Sequence, residues 1–279
     1  VLIGLTGTPI ISKEYKSKDI FGDYIHKYYY NKSIADGYTL RLIREEIETK
    51  FKNNVKNILE NIKTQQGTLT KRKVFSHPIF VEPLTKYIID DFKKSRILHN
   101  DHSIGGMIVC DTSDQAKEIF EQIKIYNNLE SSKSDKEKIS AALILHDVDD
   151  KDIRKNNQTD FKQGNIDILV VYFMLLTGFD AKRLKKLYLI RVIKQHNLLQ
   201  TLTRVNRPYN NFRYGYVVDF ADISKEFDKT NKEYFKELRS EVGDEVKEYS
   251  NLFKSPEEIH SEIKEIKEKL FLYNFTNIE

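Results

Sequence analysis

The chain has 279 residues, 46 basic and 42 acidic, with a net charge of +4, 39% apolar and 11% aromatic content. That is enough apolar material for one large domain or two small ones, which excludes a disordered tail, and the near balance of charge means that any nucleic-acid affinity comes from where the cations lie. The single cysteine, Cys110, excludes an internal disulfide and a multi-cysteine zinc site, and the longest apolar run, 168–176, is about half of a bilayer crossing, so a cytoplasmic protein with no membrane partner is expected.

Residues 1–10 read as a strand running into a glycine turn, and the start Val-Leu-Ile-Gly-Leu without a methionine points to a fragment of a longer protein. An irregular connection follows through Gly37, a charged helix near 40–63 and Gly67. Then comes a segment from Phe75 to Arg96 with a helix expected after Pro83, and a domain boundary near residue 100. From Ile104 onward short apolar runs alternate with amphipathic stretches. Strands are predicted at 104–110, 141–146, 168–172, 187–190 and 214–220, and helices at 113–127, 151–163 and 196–206. Apolar strands separated by helices indicate a parallel sheet covered by helices, an α/β domain. After residue 222 the texture becomes Lys/Glu-rich, with amphipathic segments near 224–241, 245–253 and 256–271; the last opens on Ser255-Pro256-Glu257-Glu258, a serine cap with proline and acids in the first turn.

Three stretches carry candidate chemistry. In 196–208 the buried stripe is Leu198, Leu202 and Val205, which leaves Gln200, Thr203, Arg204 and Arg207 on the other side, before Pro208 closes the helix. Only 11 of the 46 cations are arginine, so two guanidiniums three residues apart with no acid nearby in sequence suggest a clamp for phosphate oxygens rather than a solvated face. The second stretch, Leu175 to Ala181, follows a predicted strand and offers a hydroxyl, a glycine and a carboxylate, groups suited to phosphate, ribose or a metal-bound water. The third is Gly4-Leu5-Thr6-Gly7-Thr8-Pro9 at the start.

Taken together, GLTGTP at 4–9, MLLTGFDA at 174–181 and HNLLQTLTRVNRPY at 196–209 resemble the third, fifth and sixth helicase motifs of the motor (R) subunit of type I restriction enzymes, a superfamily-two translocase. FGDYIH at 21–26, IADG at 34–37 and GMIVC at 106–110 fit the same family. The resemblance implies a RecA-like parallel sheet, in three parts: 1–100 as the end of a first RecA-like domain with its connection, 101–222 as the second RecA-like domain, and 223–279 as the start of a helical C-terminal region.

It also implies site residues. Arg204 and Arg207 would be catalytic, reaching the phosphates of a nucleotide held by the other domain, with Arg207 as the finger for the γ-phosphate. Gly178, Asp180 and Gln200 would bind ATP, Thr177 would contact the DNA backbone, and Thr6 and Thr8 would couple nucleotide state to DNA grip. The family commonly has proline after Asp-Ala, whereas here Lys182 follows. Lys182, Arg183, Lys185, Lys186, Arg191 and Lys194 then form an acid-free run, whose Lys182, Arg183, Lys185 and Lys186 are read as added DNA contacts or as lysine-blunted strand edges.

The implied cofactors are ATP and Mg2+, held mainly by the first domain, since the sequence contains no G-x-x-x-x-G-K-[ST] loop; the fragment alone is expected to be inactive. The implied partners are double-stranded DNA and the methyltransferase and specificity subunits of a restriction complex. Glu245-Val246-Lys247 is a chance likeness to a nuclease motif, and the histidines of His99-Asn100-Asp101-His102 are read as solvated, so no metal site is assigned. The alternatives are another superfamily-two motor, or a RecA-like module kept only for DNA binding or assembly.

Overall fold

The computed structural model describes residues 2–5, 17–23, 25–26, 28, 30–66, 73, 75–129, 138–146, 148, 150–193, 195–221 and 252–272. Two short helices, α1 (Ser17–Phe21) and α2 (Tyr30–Ala35), precede strand β1 (Arg41–Glu46) and helix α3 (Thr49–Gln66). Helix α4 (Pro78–Leu98) leads to β2 (Gly105–Val109), α5 (Ser113–Leu129), β3 (Ala141–Ile144), α6 (Lys151–Gln163) and β4 (Ile168–Val171). Then come β5 (Leu184–Leu189), α7 (Gln195–Leu202), β6 (Tyr214–Asp219) and α8 (Pro256–Leu272).

The strands form one six-stranded sheet in the order β1-β6-β5-β2-β4-β3, and every pairing is parallel. This is the expected α/β class. Strands β2, β4 and β5 are buried at every position, and alternate residues feed two cores. On one face Met107, Leu169, Leu187 and Val217 meet Leu198, Leu202 and Val205 from α7 and the turn after it. On the other, Ile108, Val170, Tyr188 and Val218 meet α4 through Leu84, Ile88 and Phe92 and α5 through Ile119 and Ile123.

Local chemistry explains the ends of these elements. His77 caps α4 by accepting the Ile79 amide at 3.3 Å, with Pro78 in the first position, so the helix begins ahead of the predicted start and carries Pro83 inside it. Helix α6 ends on Gly164 at a φ of 98°, a left-handed conformation that only glycine adopts without strain. Ser255 and Glu258 form a capping box: the serine hydroxyl accepts the Glu258 amide at 3.1 Å and the carboxylate accepts the Ser255 amide at 2.8 Å.

Two expectations change. The predicted charged helix near 40–63 is in fact strand β1 followed by α3, and β1 belongs to the same sheet as β2–β6, so the sheet is not confined to the stretch after residue 100. Leu252, in the predicted helix 245–253, instead accepts the Leu42 amide while the Lys254 amide donates to the Leu42 carbonyl, which lays residues 252–254 along the free edge of β1. Of the predicted strand at 1–10, residues 2–5 are described and form no strand; the rest of it and the helix at 224–241 lie outside the described residues.

Candidate functional site

Helix α7 ends at Leu202, earlier than expected, because the last turn tightens: the Arg204 amide bonds to Thr201 and the Val205 amide to Leu202, three residues back. The stripe Leu198, Leu202 and Val205 is buried as predicted. Arg204 and Arg207 therefore stand on a turn, not on the face of a regular helix.

The loop 172–183 runs from the carboxyl end of β4 to the amino end of β5 and passes this turn. The Arg204 guanidinium donates to the Phe179 carbonyl and, through Nε at 2.9 Å, to the Gln200 carbonyl. Arg207 Nε lies 3.2 Å from Asp180 Oδ1, in a pair whose side chains are 45% and 59% exposed. So the acid missing around the arginines in sequence is supplied by the loop, and the candidate residues of the two stretches converge. An exposed pair of this kind contributes about 0–1 kcal/mol and is readily exchanged for another anion.

Gly178 has a φ of 72° with open space where a side chain would begin, and Thr177 beside it is exposed. Gln200 is half-buried, and its carbonyl also accepts the Thr203 hydroxyl at 2.9 Å. Thr6, Thr8 and Lys194 lie outside the described residues.

The basic run is corrected. Lys182 is exposed, but Arg183, Lys185 and Lys186 are buried in or beside β5, a strand flanked on both sides by β2 and β6. They are neither an outward DNA patch nor blunted strand edges. Arg183 donates to the carbonyls of Ser103 (2.7 Å), Phe161 (2.7 Å) and Ile166 (2.6 Å) and stacks its guanidinium on the Phe161 ring. Lys186 meets the carboxylates of Glu45 and, at 2.9 Å, Asp91, tying β1 and α4 to β5; burial pushes the Glu45 carboxyl up while Lys186 opposes it. Lys185 donates to the carbonyls of Arg207 and, at 3.4 Å, Val205, and burial holds its ammonium down to about 7.

Other groups were missed or misread. Arg191, just beyond β5, lies over the Tyr172 and Phe173 rings at 5.0 and 4.3 Å, with its Nε and Nη1 buried and unpartnered. It was visible as part of the basic run, but nothing in the sequence set it apart. His99 is not simply solvated: it packs on Phe212 and Tyr216, and burial, aided by Lys186, lowers its pKa. Among the described residues no cluster of His, Cys, Asp and Glu could hold a metal ion, and no helix is long and apolar enough to cross a membrane.

The parallel α/β sheet thus carries an arginine turn against the loop that leads into β5. Residues 81–222, half of the 279, match the family model of the type I restriction enzyme subunit R domain 3, and the chain belongs to that family. Residues 1–74 match the model of the SWI2/SNF2 ATPase. Among curated relatives, the type I restriction enzyme HindI endonuclease subunit of Haemophilus influenzae is 24% identical over 83% of this chain and 24% of its own. The SauCOLORF180P endonuclease subunit of Staphylococcus aureus is 27% identical over 81% of this chain and 28% of its own. The chain thus spans about a quarter of the length of these relatives. Among solved structures, the ATP-dependent Type ISP restriction-modification enzyme LlaBIII bound to DNA overlays with a TM-score of 0.47 and 14% identity, over 85% of this chain and 17% of that one, a likeness too loose to carry an argument.

Proposed function

We propose that this chain is a segment of the ATP-driven, DNA-translocating endonuclease subunit of a type I restriction enzyme, and that Arg204 and Arg207 act on a nucleotide held by the preceding part of the subunit. The observation that carries the reading is the pairing of Arg207 with Asp180. It leaves a half-exposed guanidinium on a turn whose backbone is anchored, held among the described residues by a solvent-screened contact that a phosphate can replace. Arg204 is the more deeply held of the two, bonded to two carbonyls, and so supports the turn rather than leaving it.

The residues present suit the phosphate end of ATP: the half-exposed Arg207 guanidinium, backed by Arg204, stands beside the exposed Gly178, and Asp180 holds Arg207 until a phosphate replaces it. Bound Mg2+ would neutralise phosphate charge, and its ligands are proposed to lie mainly in the preceding part of the subunit. Asp180, once released from Arg207, is free to accept from a ribose hydroxyl or a water. Thr177 and Lys182, both exposed on the same loop, are the retained candidates for DNA phosphate contacts. Double-stranded DNA and the methyltransferase and specificity subunits are the proposed partners.

The test is kinetic. In the full-length subunit, Arg207→Ala is expected to lower DNA-stimulated ATP turnover by about 10³ to 10⁵ while leaving DNA affinity intact. Turnover within a few-fold of the unmodified subunit would overturn the assignment.

A further inference from the structure

Lys185 presents a problem that neither the core nor the fold explains. It is the second residue of β5, its side chain is 0% exposed, and among the described residues no carboxylate pairs with it. Burying an ammonium without a counter-ion is costly. Its neighbour Lys186 has two acids to offset its burial, and Arg183 has a full set of carbonyls; Lys185 has only the turn that follows α7.

That turn is held at three successive carbonyls. Lys185 takes those of Arg207 and Val205, and the Leu40 amide, just before β1, takes that of Asn206 at 2.6 Å. The turn is also pressed onto the sheet: a Cβ at Gly215 in β6 would stand 2.2 Å from the Val205 carbonyl oxygen, so only glycine allows the approach. The contrast within Arg207 is sharp. Its backbone carbonyl is bonded by the buried Lys185 amine, whereas its side chain, among the described residues, pairs with an exposed carboxylate.

We infer that Lys185 is a positioning residue for Arg207: it fixes the backbone from which the guanidinium swings between Asp180 and an incoming phosphate. The inference rests on the reading of Arg207 as the phosphate-reaching arginine and adds the group that sets its geometry. The structure supplies a reason for a cation inside the sheet, because a carbonyl accepts from an ammonium more strongly than from a neutral donor, and a hydrophobic side chain at 185 would leave the Arg207 carbonyl without that bond. Burial lowers the Lys185 ammonium to about 7, so near neutral pH the side chain is present as both ammonium and amine, and either form donates to the Arg207 carbonyl.

The experiment uses the full-length subunit with DNA and compares Lys185→Met, Lys185→Arg, Gly215→Ala and Arg207→Ala. Lys185→Met is expected to lower kcat for ATP at least tenfold with the ATP KM and the DNA affinity unchanged, because the nucleotide is held elsewhere and only the reach of Arg207 is disturbed. Lys185→Arg, which keeps a buried donor, is expected to recover part of that loss. Gly215→Ala displaces the same turn while leaving Lys185 intact, and is expected to give the same kcat loss, which keeps the inference testable if Lys185→Met does not fold. A folded Lys185→Met or Gly215→Ala subunit with unaltered kcat, or one whose loss lies wholly in KM, overturns the inference. If Arg207→Ala itself keeps its turnover, the parent reading fails; if Arg207→Ala is inactive and Lys185→Met is not, only the positioning role fails.

Discussion

Arg183 illustrates how a cation can be structural and invisible as such in sequence. Its three short bonds go to carbonyls of residue 103 before β2, residue 161 in the last turn of α6 and residue 166 before β4, and it crowds Gly105, where a Cβ would meet the Phe161 ring at 2.5 Å. Arg183→Met keeps the apolar stem but orphans these acceptors. At about 1–3 kcal/mol for each group left unsatisfied, a loss of at least about 3 kcal/mol is expected from denaturant unfolding; a loss under about 1 kcal/mol would mean that water replaces the guanidinium. The acid-free run 182–194 looked like a surface because lysine and arginine are rarely buried. Its partners, Glu45, Asp91 and the carbonyls of the 205–207 turn, come from distant parts of the chain, and no local pattern announces them. The candidate site was legible to a greater degree. The arginines, Thr177, Gly178 and Asp180 could be named from residue type and motif, but the Arg207–Asp180 pair could not, since it depends on how the loop before β5 passes the turn after α7.

Among the elements, the apolar strands β2, β3, β4 and β6 and helices α5, α6 and α8 were readable to within a few residues, because their side chains follow burial. Strand β1 was not. Its sequence, Arg-Leu-Ile-Arg-Glu-Glu, has only Leu42 fully buried and reads as a charged helix until its partners are seen: Arg41 with Glu258, Arg44 with Asp219 and Glu45 with Lys186. The start of β5 was hidden for the same reason. Glu258 links two elements, capping α8 and bonding Arg41 on β1 at 2.8 Å, and the Arg41 guanidinium followed by the Ser255 amide brings its carboxyl down to about 2. With the folded value below the ordinary 4.5, this group stabilises the docked helix above about pH 4.5, and the contribution is lost as pH falls toward 2. The carboxylate is more than a third exposed, so solvent screening limits the effect to about 1 kcal/mol. Glu258→Gln is expected to speed amide exchange in 255–262 at pH 7 and to remove the acid-dependent part of it between pH 4.5 and 2. Exchange identical to the unmodified protein at both pH values would show that the cap and ion pair do not hold α8.

At the scale of the whole molecule, the sheet joins stretches that match two different family models. Strand β1 lies within the SWI2/SNF2 ATPase match at 1–74, and the other five strands lie within the subunit R domain 3 match at 81–222. The regular alternation of strand and helix begins near residue 100, and Lys186 in β5 pairs with Glu45 in β1 and Asp91 in α4, both before that point. The class, an α/β parallel sheet, was legible from alternation alone, whereas the membership of β1 depended on long-range charge pairing. In this sheet the Arg207 carbonyl, on the turn after α7, accepts from the buried Lys185 while the Arg207 guanidinium pairs with the exposed Asp180. The central claim is that this turn meets a nucleotide bound by the rest of the subunit. The most direct measurement is hydrogen–deuterium exchange of the full-length subunit on DNA, with and without a saturating non-hydrolysable ATP analogue. Slowed exchange at 178–181 and 203–207 is expected when the analogue is bound; unchanged exchange in both segments, with protection elsewhere in the subunit, would overturn the nucleotide contact.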